Sequence, residues 1–471
     1  MLFKNIYVYK STGAKELKHV LVNDKGLRII FNIDEDLPPL QPNIMDCKGS
    51  YFLLPGMLDS HVHGQGGIDF SDLGDEFSDQ KLEHLVLALG KTGLSYALAT
   101  FVSLPIPSLK KSLVKLNEFI EKQERTPIPG CTQILGIHLE GPFISKKCKG
   151  AHAEETLQER ISIKQFRDII SVAPHIKNWK ITLAADIPGA EEFIKDSKNL
   201  EREGIFVKVF LGHCNPDNKE DIDRAIAAGA IGFTHLGNAC QESCSRETRE
   251  LTLNDAKSTL VQWVLENPER CPPGVEIIAD GGHLSSSFIS LIHKAINKKM
   301  ILITDALGPT GCDDGIYKLG ALNIRKQQNA FYLADENGNF QMRDGILPSG
   351  QKGLVRILAG SAAPLSYCAQ KYFESLEDEQ PEARMDLLFH ALIANPRMTS
   401  LSSDSIRGLN DDNNFSIFND KGQLILSSCQ GQIIHHQQTQ WPIASILQHG
   451  FLAKMNNPQS HSPEASYKIN F

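Results

Sequence analysis

The chain has 471 residues, 41% of them hydrophobic and 22% charged, which is ordinary for a soluble globular protein and too long for one small domain. A formal net charge of -8 excludes a general nucleic-acid binder, which needs a basic face, so any anionic ligand must be held by a few local groups. Ten scattered cysteines, no apolar run near the ~18 residues of a membrane span and a start that alternates like a strand rather than a signal core point to a reducing cytoplasm and no membrane.

Residues 1–52 carry short alternating stretches, Asn5-Ile-Tyr-Val-Tyr and Leu27-Arg-Ile-Ile-Phe, split by turn residues such as Asn23-Asp-Lys-Gly. They read as strands of a small sheet. From 53 to 312 the pattern changes to apolar runs alternating with amphipathic stretches of helical length. Eight runs are legible, at 53–58, 94–103, 134–139, 179–185, 205–211, 231–234, 274–279 and 300–304. Helical candidates between them include Lys81-Leu-Glu-His-Leu-Val-Leu-Ala-Leu and Asp221-Ile-Asp-Arg-Ala-Ile-Ala-Ala. Eight alternations are the count of a (β/α)8 barrel.

Residues 313–400 read as barrel completion: irregular chain after 312, a hairpin turn at Asp335-Glu-Asn-Gly-Asn-Phe, then helices at 353–376 and 382–394. Phe415-Ser-Ile-Phe-Asn-Asp-Lys-Gly-Gln-Leu-Ile-Leu reads as two strands around an Asp-Lys-Gly turn. Residues 401–450 are expected to join 1–52 in a small flanking β-sandwich built from both termini. The stretch 451–471, rich in Asn, Ser, Pro and Gln, reads as a loose tail.

Chemistry gathers at the ends of the apolar runs. His61 and His63, Glu140, His213, His235 and Asp305 each close one, and strand ends on one rim are where a β/α barrel assembles its site. His61 and His63 are two apart, which places both imidazoles on one face of a strand. With 16 histidines such a pair alone says little, but Pro55-Gly56 before it and Gly64-Gln-Gly-Gly67 after it sharpen the signal. A buried carboxylate such as Glu140 is costly without a partner, and imidazole with carboxylate is a donor set for a catalytic divalent metal. Asp305 faces the same rim. Amide hydrolysis needs a base for the water and an acid for the departing amine, and one carboxylate can serve as both in turn.

Pro55-Gly-Met-Leu-Asp-Ser-His-Val-His-Gly, Gly136-Ile-His-Leu-Glu-Gly-Pro-Phe, Lys149-Gly-Ala-His, Thr234-His-Leu-Gly-Asn-Ala, Ala279-Asp-Gly-Gly-His and Thr304-Asp-Ala resemble the N-acetylglucosamine-6-phosphate deacetylase family of the amidohydrolase superfamily. The likeness runs in order through about 50–310. It implies a deacetylase of a phosphorylated N-acetyl amino sugar. Glu140, His213 and His235 would hold one divalent ion. His61, His63 and Asp305, sharing Glu140, would hold a second, so one or two ions are expected: zinc first, with iron, manganese or cobalt also compatible. Many binuclear relatives bridge their metals with a carboxylated lysine ending the fourth strand. Here Lys180 lies at that strand's start, and Glu140 stands in.

The resemblance also makes His152 the polariser of the acetyl carbonyl beside Asp305. It assigns Asn238, Ala239, Arg246 and His283 to the substrate, with Arg246 reaching phosphate across a homodimer interface. His138 reads equally as packing or as substrate contact. Cys214 and Cys240 read as small buried apolar groups. The family pattern thins after Glu247 and around the sugar pocket, so the galacto epimer stays open as substrate. Another amidohydrolase reaction would leave Asn238, Arg246 and His283 unexplained, and a non-catalytic scaffold would have lost a metal histidine or Asp305. Neither nucleic acid nor membrane is expected as a partner.

Overall fold

The computed structural model describes residues 1–23, 25–35, 37, 43–72, 78–214, 219–239, 259–328, 330–346 and 352–436. Its centre is an eight-stranded parallel sheet in chain order: Leu58–Val62, Tyr96–Phe101, Gln133–Glu140, Asn178–Leu183, Phe206–Leu211, Gly232–Phe233, Gly274–Ile278 and Met300–Ile303. Just past the last strand, a parallel bridge between Val62 and Ala306 brings the ends together. Asp305 N–H donates to His61 O at 2.9 Å and His63 N–H to Ala306 O at 2.9 Å. The sheet is thus a nearly closed barrel, with a helix after each strand from Asp79–Lys91 to Leu365–Glu374.

The strands are buried along their length, as Tyr96–Phe101 and Asn178–Leu183 are at every residue, because helices cover the outside and side chains fill the inside. The helices take their bounds from local chemistry. Ser78 caps Asp79–Lys91 by accepting from Lys81 N–H, and Ser285 caps Ser286–Ile296 by accepting from Phe288 N–H. Such caps satisfy amides that the helix itself leaves unpaired.

The run expected at 53–58 is a correction. Tyr51–Pro55 belongs to a different sheet, and the first barrel strand is Leu58–Val62. Both segments are apolar and buried, so only the break at Gly56-Met57 separates them. Tyr51–Pro55 pairs with Leu2–Tyr9 and, antiparallel, with Phe415–Asn419. These join Lys15–Val22, Arg28–Phe31, Ile44–Asp46, Leu424–Cys429 and Gln432–His435 in one eight-stranded sheet from both ends of the chain. Its buried face gathers Phe3, Ile6, Val8, Val20, Leu53, Phe415, Ile417 and Leu426 in a cluster apart from the barrel core.

The stretch after 312, expected to be irregular, instead forms Gly315–Leu319, Leu322–Gln327 and Ala330–Ala334, which pair antiparallel. The helix expected from 353 begins only at Leu365. Before it lie Lys352–Arg356, paired with Met342–Ile346, and Leu358–Ser361, paired with Ala330–Ala334. Gly353 and the β-branched Val355 and Ile357, which suit a strand better than a helix, were the missed sign. The turn at Asp335 stands: Asp335 N–H donates to Asn339 O at 2.9 Å. Residues 451–471 lie outside the described residues.

Candidate metal centre and its cleft

The rim of the barrel is built by strand ends. His61 lies in the first strand and His63 just beyond it, Glu140 ends the third, and His213, His235 and Asp305 follow the fifth, sixth and eighth. His213, His235 and Asp305 have φ of 49°, 26° and 52°, left-handed backbone that costs a non-glycine residue about 1–3 kcal/mol. Three such residues at one rim mark a place where geometry is held against local preference.

The side chains meet. His63 Nε2 lies 3.1 Å from Asp305 Oδ1 and 3.2 Å from Glu140 Oε2. His61 Nε2 lies 3.3 Å from Asp305 Oδ1 and 3.5 Å from Glu140 Oε1. Donor atoms of His61, His63, Glu140 and Asp305 all fall within 4.8 Å of one another, as do those of Glu140, His152 and His213. His235 Nε2 is 2.8 Å from Glu140 Oε1.

Tautomers sharpen the picture. Cys148 O lies 2.8 Å from His213 Nδ1. A carbonyl only accepts, so Nδ1 carries the proton and the neutral ring presents a bare Nε2. That lone pair faces Glu140 Oε1 at 3.1 Å and His235 Nε2 at 3.1 Å. Two bare acceptors, His213 Nε2 and Glu140 Oε1, so close and with His235 Nε2 beside both, repel one another unless a cation or a proton sits among them. Their spacing approaches the ~3.3 Å expected between ligands set around a tetrahedral zinc. The donor set fits a divalent ion.

Electrostatics agree. Burial opposes a charged His61 ring, yet Glu140 and Asp305 outweigh it and raise its pKa well above the usual value. The same contest brings His63 up to about 9. Burial would lift Glu140 and Asp305, but the surrounding imidazoles hold both carboxyls well below their usual range. The cluster draws positive charge.

His152 differs from the others. Ser103 N–H donates to its Nδ1 at 3.1 Å, so the neutral ring keeps its proton on Nε2, which points at Glu140 Oε2 from 3.5 Å. Burial brings its pKa down to about 4. A neutral ring with Nε2–H is a donor, and it is unavailable as a metal ligand through that atom. Gly141, at φ 89°, keeps Ser103 in place, since a Cβ there would collide with Ser103 Oγ.

A cleft opens above this cluster, lined by His63, Glu140, His152, His213, His235, Asn238, Ala239, His283 and Asp305 among others. Asp280 Oδ2 accepts from His283 Nδ1 at 2.8 Å. Ten of the eleven residues singled out from the sequence therefore converge, counting His61 with its contacts above. The eleventh, Arg246, lies outside the described residues, as does Cys240. His138 sits one layer below: Thr182 Oγ1 is 2.8 Å from its Nε2, and its ring meets His61 edge-on at 4.4 Å. Cys214 is buried.

Sequence similarity points the same way. The chain is 31% identical over 280 residues to the N-acetylglucosamine-6-phosphate deacetylase of Vibrio furnissii, an alignment covering 59% of this chain and 63% of that one. It is 28% identical over 300 residues to the N-acetylgalactosamine-6-phosphate deacetylase of Escherichia coli O157:H7, covering 63% and 71%. The chain is similar in sequence to N-acetylglucosamine-6-phosphate and N-acetylgalactosamine-6-phosphate deacetylases. Aligned length falls just short of two thirds of the Vibrio family member. The fold is shared with a solved structure: a mutant N-acetyl-D-glucosamine-6-phosphate deacetylase from Mycobacterium smegmatis, solved with N-acetyl-D-glucosamine-6-phosphate, superposes with a TM-score of 0.68 at 20% identity, over 93% of this chain and 99% of that one. No protein-family model matches the chain.

Glu276 and Arg343 carry no mark in the sequence reading above, and Lys180 stands there only as a strand start. Lys180 and Glu276 form an ion pair inside the barrel, both side chains fully buried, and Lys180 Nζ also donates to Ser60 O at 3.2 Å. A charge inside each of two apolar runs, Trp179-Lys-Ile-Thr and Val275-Glu-Ile-Ile, was the available signal. Arg343 lines the cleft.

Proposed function

We propose that the protein hydrolyses the acetamide of N-acetylglucosamine 6-phosphate to glucosamine 6-phosphate and acetate, in amino-sugar catabolism. The observation that carries this reading is the meeting of six candidate ligands with His152, Asn238, Ala239 and His283 on one cleft. Glu140, His213 and His235 hold one divalent ion in this reading. His61, His63 and Asp305 with Glu140 hold a second, and zinc suits the spacing best. An ion bound there supplies Lewis acidity that lets water lose a proton near neutral pH.

Asp305 takes that proton as the water oxygen attacks the acetyl carbonyl carbon. His152 donates its Nε2–H to the carbonyl oxygen as charge builds there. Asp305 then returns the proton to the sugar nitrogen as the C–N bond breaks. Asn238, Ala239, His283 and Arg246 receive the phosphate end, Arg246 from the partner of a homodimer. In this reading the catalytic barrel runs from Leu58 to 312, is completed by 313–400, and is flanked by the β-domain from both ends of the chain to which Tyr51–Pro55 belongs. The working place is the cytoplasm, and no helix of the described residues is long and apolar enough to cross a membrane.

The test combines metal analysis with acetate release from N-acetylglucosamine 6-phosphate, its galacto epimer and the unphosphorylated sugar. The proposal expects bound divalent metal and fastest turnover of the gluco phosphate. Faster turnover of the galacto phosphate would move the chain to the second activity found among its relatives. Metal-loaded protein that releases no acetate would end the proposal.

A further inference from the structure

Arg343 is the only lysine or arginine among the described residues that line the cleft. It stands on Met342–Ile346, the first arm of a hairpin whose second arm is Lys352–Arg356. The register pairs Arg343 with Val355, and Ile357 N–H donates to Gln341 O at 3.1 Å, continuing the ladder. Side chains two residues apart share a face, so Arg343, Val355 and Ile357 lie on one side of this ribbon. Ile357 lines the cleft as well, together with Leu358, Ala359 and Gly360 that follow it. This face of the hairpin is a wall of the site.

The other arginines of this region are committed elsewhere. Arg356 lies 4.0 Å above the Phe340 ring and 5.5 Å from that of Tyr332, and Arg325 stacks on Phe340 at 4.8 Å. Arg356 neighbours Val355, so it falls on the opposite face. The Arg343 side chain makes no ion pair or hydrogen bond among the described residues, and the residue is exposed. A charged fork held at the edge of a cleft whose other polar groups are imidazoles, carboxylates and one amide has an evident match in a doubly charged oxyanion.

We infer that Arg343 binds the phosphate of the substrate from the same subunit and selects phosphorylated over unphosphorylated sugars. This rests on the deacetylase reading above and adds a contact that Asn238, Ala239 and His283 cannot give, a permanent positive charge. It also makes the paired strands Met342–Ile346 and Lys352–Arg356 a specificity element, the second of them followed directly by the strand Leu358–Ser361.

The experiment compares wild type, Arg343→Ala, Arg343→Lys and Arg246→Ala on N-acetylglucosamine 6-phosphate and N-acetylglucosamine. Inorganic phosphate serves as competitive inhibitor. Arg343→Ala is expected to raise KM for the phosphorylated sugar and Ki for phosphate by roughly tenfold or more, the effect of losing a charge-assisted contact. The preference for phosphorylated over unphosphorylated substrate should fall by the same factor, and Arg343→Lys should recover part of it. An unchanged preference in Arg343→Ala, or an equal loss on both sugars, overturns the inference. Should wild type release no acetate, the function proposal fails separately. Phosphate affinity by calorimetry then still decides on Arg343: weaker binding in Arg343→Ala supports it, and equal binding overturns it.

Discussion

Glu276 Oε2 lies 3.5 Å from His61 Nδ1, while its other oxygen takes the ammonium of Lys180. All three side chains are fully buried. One carboxylate thus joins the barrel interior to a candidate metal ligand. A carboxylate behind a ligating imidazole fixes ring orientation and raises basicity, and losing it typically costs 10–100-fold in metal affinity. Glu276→Gln should therefore weaken metal binding by about that factor, read by competition with a chelator of known affinity. Unaltered affinity would leave Glu276 a structural partner of Lys180 alone.

The Lys180–Glu276 pair should also show in stability. Removing one member strands a buried charge and costs about 3–5 kcal/mol, whereas replacing both by apolar groups of like volume is far milder. Urea unfolding of Lys180→Met, Glu276→Leu and the double variant measures this. Near-additive losses in the double variant would contradict it.

Asp305→Asn keeps the shape of the side chain but cannot take a proton. Turnover should fall by at least about 10²-fold, while the ion assigned to Glu140, His213 and His235 stays bound. Metal content and initial rates are measured on the same preparation. Substantial activity with metal in place would move the base to another group.

His152→Ala removes the Nε2–H that Ser103 fixes by occupying Nδ1. Loss of one oxyanion donor typically lowers kcat by about 10²–10³-fold, with KM little altered. A KM effect alone would make His152 a binding group.

Asp280 gives a dependence on pH. Burial would raise its pKa, but His283 and the backbone amides of Gly282 and His283 outweigh that and hold it at about 2. The folded value lies below the unfolded ~3.9, so the carboxylate adds stability above about pH 4 and loses it as pH falls through about 2. Asp280→Asn should be less stable by about 2 kcal/mol at pH 7, with the gap narrowing below pH 4. A gap that is constant from pH 7 to pH 3 would rule this origin out.

The site was more legible in the sequence than the fold around it. His61, Glu140, His213, His235 and Asp305 each lie at or just past the C-terminal end of a strand, and such an end is announced by an apolar run that stops at a polar residue. Arg343 gave no such sign, because a hairpin arginine looks like any solvated charge until its partner strand is known. The run 53–58 misled for a related reason. Periodicity separates strand from helix but not one buried strand from another, so Tyr51–Pro55 and Leu58–Val62 merged. Lys180 was read as a strand start when its inward neighbour, Glu276, lay far along the chain.

The pairing of Tyr51–Pro55 with Phe415–Asn419 has a bearing on how the molecule is made. On a ribosome the early segment emerges long before its neighbour exists, and contacts so distant in sequence form late. Until then Leu53 and Leu54, both fully buried at the end, remain open to solvent beside an unpaired edge. That is the interval in which a nascent chain is most prone to stick to another, and in which a helper protein would have most to protect.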